Sequence, residues 1–296
     1  MVIALFCNFT IDIVCLNGIA KIQIGGPAYY ASLALNFMGE KSTLYTAIGK
    51  GIQKKKLKML QRTNINLENI AFIDELPTPL FIHICWDDKR KSYIYNETKL
   101  DEYYQNVKIN EKDIYVSFTF REVKEDILYK LTQNKNCFLD MQGFLRYRNR
   151  YGLIKHKEPS IALDNFRYIK VSEEEIPNLK NLLQRAFSCS VEEVIVTRGA
   201  RGVHVYSRKG IVYKLDLLNK NNNMRDPTGA GDVFGAIYFA TRTNGASIPE
   251  SIMKASLFAS LKVNLGEHFG KRTIKNIMQL SKRQAFQKIK IDDFLI

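Results

Sequence analysis

The sequence predicts an α/β fold, a mainly parallel sheet flanked by helices with a small β-stranded appendage, and three observations predict it. Short apolar runs alternate with helix-patterned segments along the 296 residues. Those runs lack an inside–outside alternation, as strands buried on both faces do. A polar turn, Asp87-Asp88-Lys89-Arg90, separates two β-rich segments, FIHICW (81–86) and KSYIY (91–95), which is the pattern of a hairpin.

Taken in order, residues 2–6 form an uninterrupted apolar run followed by polar Asn8 and Thr10 and then Asp12. This reads as a buried strand ending in a functional loop, with Asp12 at the strand's carboxyl end, where open α/β sheets bind ligands. Gly25-Gly26-Pro27 precedes AYYASLALNFM (28–38), a helix that Gly39 can terminate. A double glycine there lets backbone approach a ligand closely, and a plain tight turn explains it equally well. The middle then alternates: strand 114–118, helix 124–134, strand 136–140 ending in Asp140, strand 168–171, an acidic helix from Ser172, strand 193–197, and a turn into a further strand after Gly199. With no internal repeat, low-complexity tract or linker, 1–296 reads as one domain. Residues 50–59 and 219–223 read as solvated, mobile stretches.

Composition narrows the classes. Lys and Arg total 44 against 30 Asp and Glu, a formal charge of +14, so the surface attracts anions without choosing among them. The basic residues are scattered, with Lys54-Lys55-Lys56 the tightest run, and no Arg-rich arm or zinc-finger spacing accompanies them; a nucleic-acid patch is not expected. Five cysteines are dispersed without a C-x-x-C pair, the pattern of reduced thiols in a cytoplasmic protein. No apolar run approaches the ~20 residues needed to span a bilayer, so no membrane partner is expected.

The segment that carries chemistry is Arg225-Asp226-Pro227-Thr228-Gly229-Ala230-Gly231-Asp232, followed by the apolar run GAIYFAT. Three small residues precede an acid where a helix begins, so backbone N–H groups converge on an anion while the helix dipole favours negative charge. An acid in a first helical turn also stabilises a ligand-free helix, by ~0.3–1 kcal/mol. That alternative leaves the glycines around Ala230 and the second acid, Asp226, unexplained.

The segment DPTGAGD resembles the carboxyl-terminal signature of the ribokinase-like, or PfkB, kinases of carbohydrates and other small molecules, and the resemblance extends along most of the chain. Asp12 is similar to the family's substrate-binding Asp, Gly25-Gly26 to its sugar-contacting di-glycine, Ser172-Glu173-Glu174-Glu175 to its N-x-x-E, and Thr197-Arg198-Gly199-Ala200-Arg201-Gly202 to its T-x-G-x-x-G nucleotide loop. The order of these features matches as well. The resemblance implies a ribokinase-like α/β fold whose β-stranded lid comes from segments 12–24 and 77–98. It implies γ-phosphoryl transfer from ATP to a hydroxyl of a sugar or polyol, with Asp232 as general base and the Gly229, Ala230 and Gly231 amides as anion hole. Ser172, Thr197, Gly199, Gly202 and Thr228 would hold the nucleotide, Glu175 and Asp226 a Mg2+ ion, and the helix around 254–263 would flank the adenine; a monovalent cation is left open. A homodimer through the lid is the implied assembly.

Departures from the family pattern leave the transfer machinery at Asp232 untouched. Tyr30 stands where Asn is common, Pro27 follows the di-glycine, Ile48-Gly49-Lys50-Gly51 replaces G-D-D, and Ser172 replaces Asn. The run from Asp140 to Arg146 is similar to one in inositol-kinase-like branches, so Asp140, Gln142 and Arg146 join Asp12, Gly25, Gly26 and Tyr30 as candidate acceptor ligands; a structural loop is the alternative for that run. A nucleoside kinase, a non-catalytic relative and a basic nucleic-acid-binding protein are the rival readings.

Overall fold

The computed structural model describes residues 1–52, 60, 65–86, 89–216, 226–265 and 290–293. Strand β1 (Val2–Cys7) pairs in parallel with β4 (Lys41–Lys50) on one side and β9 (Asp113–Ser117) on the other. From β9 the parallel set continues through β10 (Asn136–Asp140), β13 (Tyr168–Ser172) and β14 (Glu193–Thr197). Beyond β4 lie β5 (Ile65–Asn66) and β6 (Ile70–Pro77), and beyond β14 an antiparallel edge is formed by β15 (Gly202–Ser207), β16 (Ile211–Asp216) and β17 (Lys290–Asp293). The sheet therefore is the expected α/β architecture, mainly parallel with an antiparallel rim.

Both faces are covered, which is why the strands read as continuous apolar runs. In β1, Ile3, Leu5 and Cys7 enter a core shared with helices α1 (Pro27–Met38), α6 (Ala230–Thr243) and α7 (Ile248–Leu265), while Ala4 and Phe6 enter a second core. That second core includes residues of α3 (Glu125–Thr132) and α5 (Leu179–Ser188), with Tyr104 from the short α2 (Asp101–Gln105). Gly39 ends α1 in the left-handed conformation, φ 80°, as its position in the sequence required.

A second sheet of four strands, ordered β3 (Ile19–Gly25), β2 (Thr10–Leu16), β7 (Leu80–Trp86) and β8 (Lys89–Ile94), is assembled from two distant hairpins joined by parallel pairing of β2 with β7. One face presents buried Asp12, Gln23, Phe81 and His83; the other exposes Ile22, Ile84 and Trp86.

Two expectations are corrected. Asp12 does not lie in a loop after the first strand but inside β2, so its side chain is aimed by sheet register. The helix expected from Ser172 begins at Leu179: Pro177 interrupts it, and the Asn178 side chain caps it by accepting the Asn181 N–H at 3.0 Å. The acids between form a turn in which Glu173 pairs with Arg198 and Arg201, and Glu175 with Arg146. The run after Asp140 is the short helix α4 (Gln142–Leu145) followed by β11 (Arg146–Arg148), which pairs with β12 (Ile154–His156). Most of the stretches 50–59 and 219–223 lie outside the described residues. No helix among the described residues is long and apolar enough to cross a membrane.

Candidate active site

The turn into α6 is built around Gly229, whose φ of +80° only glycine adopts readily. A Cβ there would stand 2.2 Å from Cδ2 of the buried Tyr30 ring, so the ring and the turn are in close contact. The Ala230 N–H turns back on the Pro227 carbonyl at 3.0 Å and the Val233 N–H closes the first helical turn on Gly229. The amides of Gly229, Gly231 and Asp232 therefore have no backbone acceptor among the described residues, and the Thr228 hydroxyl is buried beside them. Unpaired donors gathered at a helix start are a site for an anion.

Asp232 projects from that first turn and is buried. Burial, reinforced by Asp140, pushes its carboxyl up to about 7, against the pull of Lys170 and Arg146. Asp140 at the carboxyl end of β10 and Lys170 on β13 are register partners, and their ion pair, 2.5 Å long, is almost wholly buried. The Lys170 ammonium also lies 3.5 Å from where a Cβ of Gly231 would be, placing a positive charge beside the free amides. Gln142 makes a long 3.5 Å contact with Asp232, and Arg146 reaches Glu175 at 2.5 Å and the Thr119 carbonyl at 3.3 Å.

The opposite wall comes from the four-stranded sheet. Asp12 accepts a 2.6 Å hydrogen bond from Thr10, and burial pushes its carboxyl up to about 6 despite that bond. The di-glycine exists for this contact: a Cβ on Gly25 would lie 1.9 Å from an Asp12 oxygen, and one on Gly26 would lie 2.5 Å from the Asn8 carbonyl. Gln23 donates to Asp226 at 2.9 Å, while the Thr228 N–H donates to the other oxygen of that carboxylate at 2.9 Å. Tyr30 is used as packing, its ring beneath Gly229 and 5.0 Å from the Lys262 ammonium. Ser172 and Thr197 are register partners at the ends of β13 and β14; Gly199, φ +57°, and Gly202, φ +108°, shape the turn that follows.

Glu175 and Asp226 do not fit as a metal cage built by the protein. Burial alone would raise both carboxyls, yet Arg146 holds Glu175 below its ordinary range, and Lys262 with the Thr228 and Gln23 bonds does the same for Asp226. Among the described residues no group of three or more His, Cys, Asp or Glu could hold an ion.

Three elements were not singled out in the sequence. Lys170 could have been found, because a lysine in the run YIKV puts a charge in a buried strand that needs an acid next to it. The cluster of Asn8, Thr119 and Glu122, in which Asn8 Nδ2 donates to both at 2.7 and 2.9 Å and Glu122 accepts the Phe120 N–H, holds the ends of β1 and β9 together; no local pattern announces it. Arg90 was assigned only to a turn.

The close fit of Tyr30 to Gly229 makes a prediction. Gly229→Ala must displace the ring and place a side chain at positive φ, each about 1–3 kcal/mol. The melting temperature should fall by several degrees and the KM for the phosphoryl donor should rise; unchanged values of both would refute the packing described.

The chain is similar to several known proteins. Residues 159–267 match the family described as pfkB family carbohydrate kinase. A putative 1-phosphofructokinase of Mycoplasma genitalium is 20% identical over 253 residues, 81% of this chain and 80% of that protein. A pyrophosphate-dependent kinase of the ribokinase family, solved with a pyrophosphate analog and myo-inositol, superposes with a TM-score of 0.72 at 17% identity, covering 89% of this chain and 95% of its own. Arabidopsis thaliana ribokinase with ribose and ATP superposes at 0.69 and 15% identity, covering 94% and 98%.

Proposed function

We propose, from the premise that this chain is a ribokinase-like kinase of the pfkB type, that it transfers the terminal phosphoryl group of ATP to a hydroxyl of a sugar or polyol with Asp232 as general base. The observation that carries this reading is the placement of Asp232, a buried carboxyl pushed up to about 7, in the same helical turn as the unpaired Gly229 and Gly231 amides. Phosphoryl transfer needs positioning and charge neutralisation more than covalent help. A base with a pKa near neutrality accepts the hydroxyl proton as the oxygen attacks, while amides a few ångströms away hold charge on the phosphoryl oxygens.

Other residues follow from position. Asp12 orients the acceptor from the four-stranded sheet, and that sheet excludes water, itself a competing hydroxyl nucleophile. Lys170, beside the amides, neutralises the transferring group, and its pairing with Asp140 holds the ammonium in place. Ser172, Thr197, Gly199 and Gly202 bound the nucleotide side. A magnesium ion brought by the nucleotide would neutralise charge on the phosphates; Glu175 and Asp226 are held by protein donors. The placement is cytoplasmic, in keeping with five free cysteines.

Coupled ADP formation with ATP and Mg2+, read over a panel of sugars, polyols and nucleosides, tests the proposal. Turnover with a sugar or polyol is expected. Turnover confined to nucleosides would reassign the acceptor, turnover only when pyrophosphate replaces ATP would reassign the donor, and silence with every donor and acceptor would overturn the reading.

A further inference from the structure

We propose that Lys262 is a resident cation of the donor site. From behind the turn its ammonium offsets the Asp226 carboxylate and fixes the Asp226 peptide, so that the amides from Gly229 to Asp232 can take the donor's phosphates. The inference rests on the kinase reading above and deepens it. Lys262 acts through the turn and is a positioning residue.

Lys262 lies in the last turn of α7, where a solvated lysine would already suit the helix dipole. It is instead 3% exposed. Buried Ile252, Ala255 and Phe258 mark the inward stripe of this helix, and Lys262, four residues after Phe258, continues it. Burying an ammonium costs far more than the dipole returns, so the side chain needs partners where it ends.

Those partners belong to one site. Nζ donates to the Asp226 carbonyl at 3.2 Å, at the head of the turn. It also lies 5.0 Å from the centre of the Tyr30 ring, whose face attracts a cation and which packs against Gly229. The charge of Lys262 falls on carboxylates. Burial raises Asp226, and Lys262 is foremost among the groups that bring it below its ordinary range, ahead of the Thr228 and Gln23 bonds. Burial raises Asp12 as well, and there Lys262 joins the Thr10 bond and the Arg90 guanidinium in opposing it.

Asp226 is tied in place, because one oxygen accepts the Thr228 N–H and the other the Gln23 amide. An uncompensated carboxylate three residues before Gly229 would nevertheless repel a polyphosphate arriving at the free amides. Lys262 removes that conflict, since it cancels the charge and leaves both hydrogen bonds standing. Lys170 does something different. It weighs on the base Asp232, together with Asp140, Arg146 and Asp12, whereas Lys262 weighs on Asp226. The two lysines therefore separate in kinetics, Lys262 in the donor KM and Lys170 in turnover.

The test titrates ATP and pyrophosphate into the full chain by calorimetry, for the intact protein, Lys262→Met, Asp226→Asn and the double variant, beside steady-state kinetics. Lys262→Met should raise the donor Kd and KM by about 10- to 100-fold, with kcat and the acceptor KM changed much less. The double variant should bind donor more tightly than Lys262→Met, because the uncancelled carboxylate has gone; a lost packing contact is not restored by a neutral change on another element. Donor affinity unmoved by Lys262→Met, or a double variant no better than Lys262→Met, overturns the inference and leaves the kinase reading standing. Should Lys262→Met fail to fold, the double variant is set against Asp226→Asn, from which it differs only by the ammonium: weaker donor binding in the double variant supports the inference and equal binding overturns it. If no acceptor turns over, the kinase reading falls, and donor affinity that follows the charges at 226 and 262 still supports the cation. If neither ATP nor pyrophosphate binds the intact chain, both readings fall.

Discussion

Asp232→Asn is expected to lower kcat/KM by about 10²–10⁴, the range that general-base catalysis contributes, while donor binding and the fold survive. The substitution keeps shape and removes only the proton acceptor. In the intact chain the base works deprotonated, and burial with Asp140 has lifted its carboxyl to about 7. The rate should therefore climb as pH rises through about 7, and this acid limb should vanish from the residual activity of the variant. Stability moves the other way. A carboxyl raised in the folded state stabilises the fold fully below its unfolded value near 3.8, and this contribution is lost as pH rises through about 7. At pH 8 the variant should therefore melt at or above the intact chain. Thermal melts with pH–rate profiles decide it: a loss within tenfold that keeps the acid limb would remove Asp232 from the role of base.

Lys170→Met should be nearly as damaging, for two separable reasons. Asp140 would be left buried and unpaired, a loss of about 3–5 kcal/mol when one partner of such a pair is removed, less whatever protonation of the carboxyl recovers. The positive charge beside the Gly231 amide would also disappear, and losing one preorganised group of this kind lowers turnover by about 10²–10³. Because Lys170 pulls the Asp232 carboxyl down, its removal should shift the acid limb of the rate profile to higher pH. The double variant Lys170→Met with Asp140→Asn separates the causes. Stability should largely return because neither member of the pair is left charged without its partner, whereas activity should not. Recovery of both would make Lys170 a packing residue.

The parts of this site that could be read in advance are those contiguous in sequence. The turn from Asp226 to Asp232 holds its amides, acid and glycines within one segment, so spacing alone points to an anion site at a helix start. The parallel sheet was equally legible, because burial on both faces leaves an apolar run. Lys170 and Arg90 were not, since their meaning depends on which strands become neighbours: the Lys170–Asp140 pair follows from β13 lying beside β10, and Arg90 reaches the Asp12 face only because β7 pairs with β2. Local rules also misplaced the helix after Ser172, where the acidic residues suggested a first turn and Pro177 with the Asn178 cap set the start further on. Tyr30, a candidate acceptor ligand in the sequence, has its ring against Gly229 and its hydroxyl accepting from Gln23 at 3.3 Å, contacts that no local pattern announces.

The bond from Gln23 to Asp226 joins residues 203 positions apart, one on the four-stranded sheet and the other at the entrance to the helix that carries Asp232. It acts as a latch between the two halves of the cleft. The sheet cannot swing away at that point without releasing the carboxylate whose other oxygen fixes the Thr228 amide. One carboxylate thus ties the four-stranded sheet to the turn that leads into the helix of Asp232, so the position of that turn is set partly by a strand far away in the sequence.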